Sequence, residues 1–228
     1  MFLILVYRKD PLLPLYQEKR IEMKKILGLV ILLKLLFIFP TASRADSPVT
    51  ATGFYEAYLD VKMVERAHLE GVMGLEIAEF LTFPENPIDV KAAVINALSW
   101  KFEGKSNAEL YAYYLALLYH VSVTELDTEF LSADEIFCMG YLTAMDDYFH
   151  PEKALPILEE AHKLMKDSFT VSIIMALTIG QKVMDYDWCE VWRLTEEVLK
   201  NKELKQDLRP EATKMIVDYV VLYKEYCE

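Results

Sequence analysis

The chain has 228 residues, 54% of them hydrophobic, with 24 lysines and arginines against 36 aspartates and glutamates. The resulting net charge of −12 argues against nucleic acid and anionic lipid headgroups as partners, because phosphate binding needs clustered lysine and arginine. Apolar and aromatic side chains are dense throughout, 14 tyrosines among them, which excludes a disordered acidic chain: enough apolar area is available to offset chain entropy.

Met23-Lys24-Lys25 is a short basic stretch, and residues 26–39 are apolar except for Gly28 and Lys34. Pro40 follows, and Ser43-Arg44-Ala45 then places small residues where a signal peptidase reads. That order is the architecture of a secretory signal peptide over residues 23–45, with cleavage expected after Ala45 and a periplasmic or secreted product. A membrane span needs about 20 apolar residues, so no stable span is expected once the leader is removed; an uncleaved anchor is the alternative. Residues 1–22 have no role in such a leader. Lys19-Arg20 can be encoded by purine-rich codons just upstream of Met23, so translation is expected to start at Met23. Loss of the leader's eight basic and three acidic residues leaves 16 basic against 33 acidic, a net charge of −17 on residues 46–228.

Glycine and proline are scarce in residues 46–228, and the apolar residues recur at three- and four-residue spacing, so this part is expected to be a single all-helical domain. Residues 54–81 read as one long helix or two abutting ones, with Gly71 and Gly74 as weak points. Residues 88–102 form the next helix, closed by Gly104. Ser106 and Glu109 have capping-box spacing at the start of a helix over 107–120, and Ser132 and Glu135 repeat it before a helix over 133–149. A short helix over 124–130 lies between them. Pro151 sits at the first turn of a helix over 152–166, where proline is tolerated, and Asp167-Ser168 leads into a helix over 169–184. Asp187 caps a helix over 188–201, and a polar stretch over 202–208 precedes the last helix, 210–227. Short loops between helices of about four turns make neighbours antiparallel, so the fold expected is a stack of helical hairpins, with N-terminal helices over 54–130 and hairpins over 133–228.

Ala154, Leu158 and Ala161 occupy small, large and small positions of a second helix, and Cys138, Tyr141, Leu142 and Met145 line the inner face of the helix before it. Over residues 133–201 this resembles a tetratricopeptide unit, and the next hairpin follows 34 residues later, the period of that family. The repeat is degenerate, because Trp188 and Trp192 stand where Ala154 and Leu158 would recur. The resemblance implies helical hairpins that present a surface to a protein or peptide.

The three cysteines allow one disulfide and one free thiol in an oxidising compartment. Cys189 begins one helix and Cys227 ends the next, so they would meet if those helices pair; three buried reduced thiols are the alternative. Two Glu-x-x-His triplets, Glu65 with His68 and Glu159 with His162, each put a carboxylate and an imidazole on one helix face. On facing helices, with Glu109 and Glu135 as further carboxylates, they would resemble the di-metal oxidoreductase site of ferritin-like bundles. Yet Glu159 and Glu160 read as solvent face opposite Ala154, Leu158 and Ala161, and no glutamate-bearing helix precedes the first triplet. No cofactor is therefore expected, and no other enzyme signature is found.

The segment from Phe137 to Asp147 carries Cys138, Gly140-Tyr141 and Asp146 in a pattern similar to the central helix of small periplasmic immunity proteins that neutralise secreted amidase toxins. Gly140 is equally explained by close helix packing. Tyr111, Tyr113, Tyr114 and Tyr119 are too many for one buried stripe, so Tyr111 and Tyr114, with Trp188 and Trp192, are candidates for a partner-binding surface. The preferred expectation is a non-catalytic adaptor or scaffold for a protein or peptide partner, a basic one by charge.

Overall fold

The computed structural model describes residues 47–99 and 106–227. The expected start at Met23, the signal peptide, its cleavage after Ala45 and the helix stop at Gly104 lie outside them. The described residues form an all-α protein with no strand beyond a single bridge between Ser168 and Lys205. Its helices are α1 (Lys62–Glu70), α2 (Leu75–Thr82), α3 (Ile88–Leu98), α4 (Asn107–Tyr119), α5 (Ala133–Asp146), α6 (Leu155–Leu164), α7 (Phe169–Val183), α8 (Trp188–Lys200) and α9 (Pro210–Val220). Short 3-10 turns at Phe54–Tyr58 and Val221–Tyr226 flank them.

The stretch expected as one or two helices over 54–81 is three pieces. Gly71 takes a left-handed conformation, φ 63°, and ends α1, while Gly74 is extended and precedes α2. Left-handed backbone is cheap only for glycine, so the flagged weak point is a true break. Helix α3 ends at Leu98, short of the expected 102, because Ser99 turns to φ 55°. The capping box at Ser132 and Glu135 is present, and Asp187 accepts from the Glu190 N–H at 3.1 Å. No side-chain cap forms at Ser106. The Ala108 N–H donates instead to Asp146 Oδ2 of α5, at 2.7 Å.

Helix α3 is the hub. Every residue from Lys91 to Leu98 is buried, and the helix packs against Phe54–Tyr58, α1, α5 and α7. Its polar side chains are all engaged. Lys91, fully buried, donates to Asp134. Asn96 accepts from the Tyr55 N–H at 3.0 Å and donates both to the Thr52 carbonyl and to the Tyr141 hydroxyl. A buried amide so satisfied adds specificity without the cost of an orphaned polar group.

In the C-terminal half, consecutive helices α5, α6, α7 and α8 each pack on the next. Gly140 on α5 lets α6 come close: a Cβ there would lie 2.9 Å from both Leu158 Cγ and Cδ2. The polar stretch before α9 is an ordered strap. Its Asp207 accepts from the Thr170 N–H and hydroxyl, and Leu204 and Leu208 are buried. The Phe54–Tyr58 turn packs on α9, so the two ends of the described fold meet. There the Arg209 N–H donates to the Tyr58 hydroxyl at 2.9 Å, and that hydroxyl donates to Asp89 at 2.8 Å. The Arg209 guanidinium reaches the Ala57 carbonyl and both oxygens of Asp60, and lies 4.3 Å from the centre of the Tyr58 ring.

Two substitutions test this packing. Gly140→Ala should lower unfolding stability by about 1–3 kcal/mol through overpacking against Leu158. Tyr58→Phe strands the Arg209 N–H and an oxygen of Asp89 and should cost about 1–3 kcal/mol. Both are read from urea unfolding followed by circular dichroism. Acidification should loosen the same clasp. Hydrogen bonding to Arg209 holds the Asp60 carboxyl below the usual aspartate range, so its contribution is present at neutral pH and disappears as pH falls through that depressed value.

Candidate functional site

Helix α4 is apolar on every side. Of its 13 residues only Glu109 is charged. One side faces inward: Tyr111 is fully buried, with Leu115 and Ala116. Both ends are pinned. At the start, Asn107 Oδ1 accepts from the Met73 N–H at 2.8 Å, beside the bond from Ala108 to Asp146. At the far end, His120 turns left-handed at φ 57°, and the Tyr119 hydroxyl donates to Glu135 Oε2 at 2.7 Å. Burial, with that bond to a carboxylate, pushes the Tyr119 hydroxyl up to about 12.

The other side has no covering element among the described residues. Leu110, Tyr113, Leu117 and Leu118 are 40%, 51%, 76% and 46% exposed. Positions 110, 113 and 117 fall in one row along a helix, with the half-buried Tyr114 beside them. A helix hydrophobic all round is normally enclosed; α4 is enclosed on one side only. Its rim is acidic. Helix α2 packs alongside with Glu79 exposed, Glu109 begins α4, and Glu125 lies in the turn that packs at its end. Burial, and then the charge of Glu79, raise the Tyr114 hydroxyl above the usual tyrosine value. Residues 67–135 carry 12 aspartates and glutamates against three lysines: Lys91, which is buried and paired, and Lys101 and Lys105, which lie outside the described residues.

The four aromatic residues chosen from the sequence are not brought together. Tyr111 is core and Tyr114 is half-buried on α4. Trp192 is also buried, on α8, with Lys224 Nζ 5.0 Å from its ring centre. Trp188 is 38% exposed and meets Tyr226 edge-on at 4.8 Å. Helix α4 packs on α2 and α5, whereas α8 packs on α7 and the Val221–Tyr226 turn. Of the exposed row, Tyr113 belongs to the tyrosine run that is too dense for one buried stripe, whereas Leu110 and Leu117 escape that reading. The available signal was a helix with apolar residues at both inward and outward spacings.

The two Glu-x-x-His triplets are also apart. Glu65 is exposed on α1, where His68 stacks on Tyr55 at 5.0 Å. Glu159 is exposed on α6, and His162 edges a cleft of about 250 Å³ between α6, α7 and α8, together with Lys166 and Glu197. Of the further carboxylates, Glu109 is exposed and Glu135 is taken by Ser132 and Tyr119. Among the described residues no group of three or more His, Cys, Asp or Glu side chains could hold a metal ion. Helix α1 packs on α3 while α6 packs on α5 and α7, so the spacing within each triplet was right for one helix face but the two faces do not oppose.

Cys189 and Cys227 are joined in a disulfide with Cα atoms 4.8 Å apart, which ties the end of the chain to the start of α8. Cys138 is free and buried on α5, and burial pushes its thiol well above the ordinary cysteine value. In the segment from Phe137 to Asp147, Phe137, Cys138, Gly140 and Tyr141 are core residues. Asp147 accepts from Lys153 at 2.6 Å and His150 at 2.7 Å, and those two bonds, Lys153's the larger effect, hold its carboxyl below the usual range. No helix among the described residues is long and apolar enough to cross a membrane.

Thiol chemistry gives a direct check. Iodoacetamide should leave Cys138 unmodified in the native protein and alkylate it after denaturation. Replacing both Cys189 and Cys227 by serine should lower stability by about 2–4 kcal/mol; an unchanged urea midpoint would show the bridge to be dispensable. No protein-family model, curated protein or solved structure matches the chain, so its own geometry is the guide to what it does.

Proposed function

We propose that this is a non-catalytic binding protein, an adaptor or scaffold, that docks a protein or peptide partner on the outward face of α4. The observation that carries it is the exposed row of Leu110, Tyr113 and Leu117 on a helix whose opposite side is core. Contiguous exposed apolar surface rimmed by polar residues marks interaction sites, and tyrosine is a favoured anchor in them. The acidic rim supports a basic partner.

The finer reading of the C-terminal half as tetratricopeptide-like hairpins is supported by the close approach of Gly140 on α5 to Leu158 on α6, and by the burial of Ala154 and Ala161. Export to the periplasm or beyond is supported by the leader pattern over 23–45 and by a disulfide suited to an oxidising compartment. A second reading, an immunity protein against a secreted toxin, is favoured by one observation. The segment from Phe137 to Asp147 lies on a helix that packs against α2, α3, α4, α6 and α7, a central place of the kind the resemblance implies. Under that reading the partner is the toxin, and its gene should neighbour this one.

Native mass spectrometry of the protein purified from its own cells tests the binding reading. A species at the mass of residues 46–228 and a second at the mass of a protein complex are expected, the second lost in Leu117→Asp with helical content unchanged. A complex that survives Leu117→Asp would remove α4 as the docking face. A mass heavier by two metal ions, with no protein partner, would restore the di-metal oxidoreductase.

A further inference from the structure

We infer that the occupant of the α4 face is a basic amphipathic helix, rather than an extended strand or a second copy of this chain. The inference rests on the reading of α4 as the docking face and names the partner's chemistry. Three observations carry it.

The first is backbone accounting. A segment buried against an apolar surface must satisfy its own N–H and C=O groups or find partners for them. The described face is helical, from α2 through α4, and offers no sheet edge to pair with. An extended peptide laid there would bury unpaired backbone, whereas a helix satisfies its backbone internally.

The second is spacing. Leu110, Tyr113 and Leu117, with Tyr114 beside them, form a ridge about 10 Å long at 1.5 Å per residue. Such a ridge accepts the i, i+3/i+4, i+7 side chains of a partner helix by ridges-into-grooves packing. Tyr113 presents a large ring with a polar tip, suited to the edge of such a contact.

The third is charge. Glu79, Glu109 and Glu125 lie exposed on α2, on α4 and in the turn that packs at its end, and residues 67–135 carry 12 aspartates and glutamates against three lysines. The whole chain carries a net charge of −12. A second copy would bring carboxylates against carboxylates. A helix with leucines on one face and lysines or arginines beside them meets both the ridge and its rim.

The probe is a synthetic peptide of about 18 residues, long enough to hold a helix, with leucines at i, i+3, i+4, i+7 spacing and lysine elsewhere. Binding to the full chain is measured by isothermal titration calorimetry. The inference expects saturable one-to-one binding that weakens about tenfold between low and high salt. It expects a loss of about tenfold or more in Leu117→Asp. Attraction by charge alone predicts the opposite for that variant, since it adds a carboxylate. A peptide of the same composition with leucine and lysine alternating, which favours a strand, should bind far more weakly. Equal binding of the two peptides, or equal binding of a leucine–glutamate helix, would overturn the inference. So would a wild-type dimer in analytical ultracentrifugation that Leu117→Asp dissociates, which would assign the face to a second copy. The two readings fail separately. If Leu117→Asp removes the native complex but the leucine–lysine helix does not bind, α4 remains the docking face and only the partner class is wrong. If the native complex survives Leu117→Asp, the face itself is wrong.

Discussion

A helix without an exposed side has to be surrounded, and meeting that demand organises the rest of the described fold. Helix α3 is buried from Lys91 to Leu98. It is enclosed by the Phe54–Tyr58 turn, α1, α5 and α7, elements drawn from both halves of the chain. Asn96 fixes the register of the enclosure, since its amide holds the backbone at Thr52 and Tyr55 on one side and Tyr141 of α5 on the other. Lys91 does the same through Asp134 at the start of α5. A buried amide or ammonium is tolerable only with partners in place, so these two residues reject packings that would satisfy a purely apolar hub equally well. The clasp at Arg209 follows from the same demand. Once Phe54–Tyr58 is drawn onto α3, its outer side faces α9, and Tyr58 links the two through Arg209 and Asp89.

Helix α4 shows what happens when similar composition meets a different environment. Both helices are rich in apolar residues, yet among the described residues α3 is enclosed and α4 is covered on one side only. Local sequence therefore does not decide burial; the count of neighbouring elements does. Helix α4 lies at the edge, where α2 and α5 cover its inner side. The side that no other described element covers is apolar by composition. Exposed leucines gain nothing for the folded state compared with the unfolded one, since both leave them in water. On the proposed reading, their place on an otherwise ordered, doubly pinned helix is explained by contact with a partner.

Much of the helical architecture was legible because it is governed locally. The box at Ser132 and Glu135, the cap at Asp187 and the break at Gly71 depend on residues within a few positions of each other. What escaped is governed at a distance. Ser106 has the right neighbours for a cap but makes no side-chain cap, and Asp146, 38 residues on from Ala108, accepts from the Ala108 N–H instead. The polar stretch before α9 looks like a linker, yet Asp207 caps α7 from 37 residues away. For the site, Tyr111 and Tyr113 are indistinguishable by residue type and lie on opposite sides of α4. With no polar side to orient the helix, nothing local told core from surface. The Glu-x-x-His triplets fail for the same reason: spacing sets a face, and tertiary packing sets what that face meets.

An exposed apolar ridge is also a hazard, because two copies could bury it against each other. The charge of this chain bears on that hazard directly. Glu109 shares α4 with Leu110, Tyr113 and Leu117, while Glu79 is exposed on α2 packed beside it and Glu125 is exposed in the turn packed at its end, so a contact that buries the leucines brings carboxylates close. Between identical copies this is repulsive, and repulsion grows as water is excluded. Between this surface and a basic one it is attractive. With a basic partner, as proposed, the same acidic residues discourage a second copy while favouring the intended occupant. On the proposed reading, the acidity of the chain is part of its specificity, and neutralising the rim should harm it in two ways, weakening the intended complex and permitting self-association.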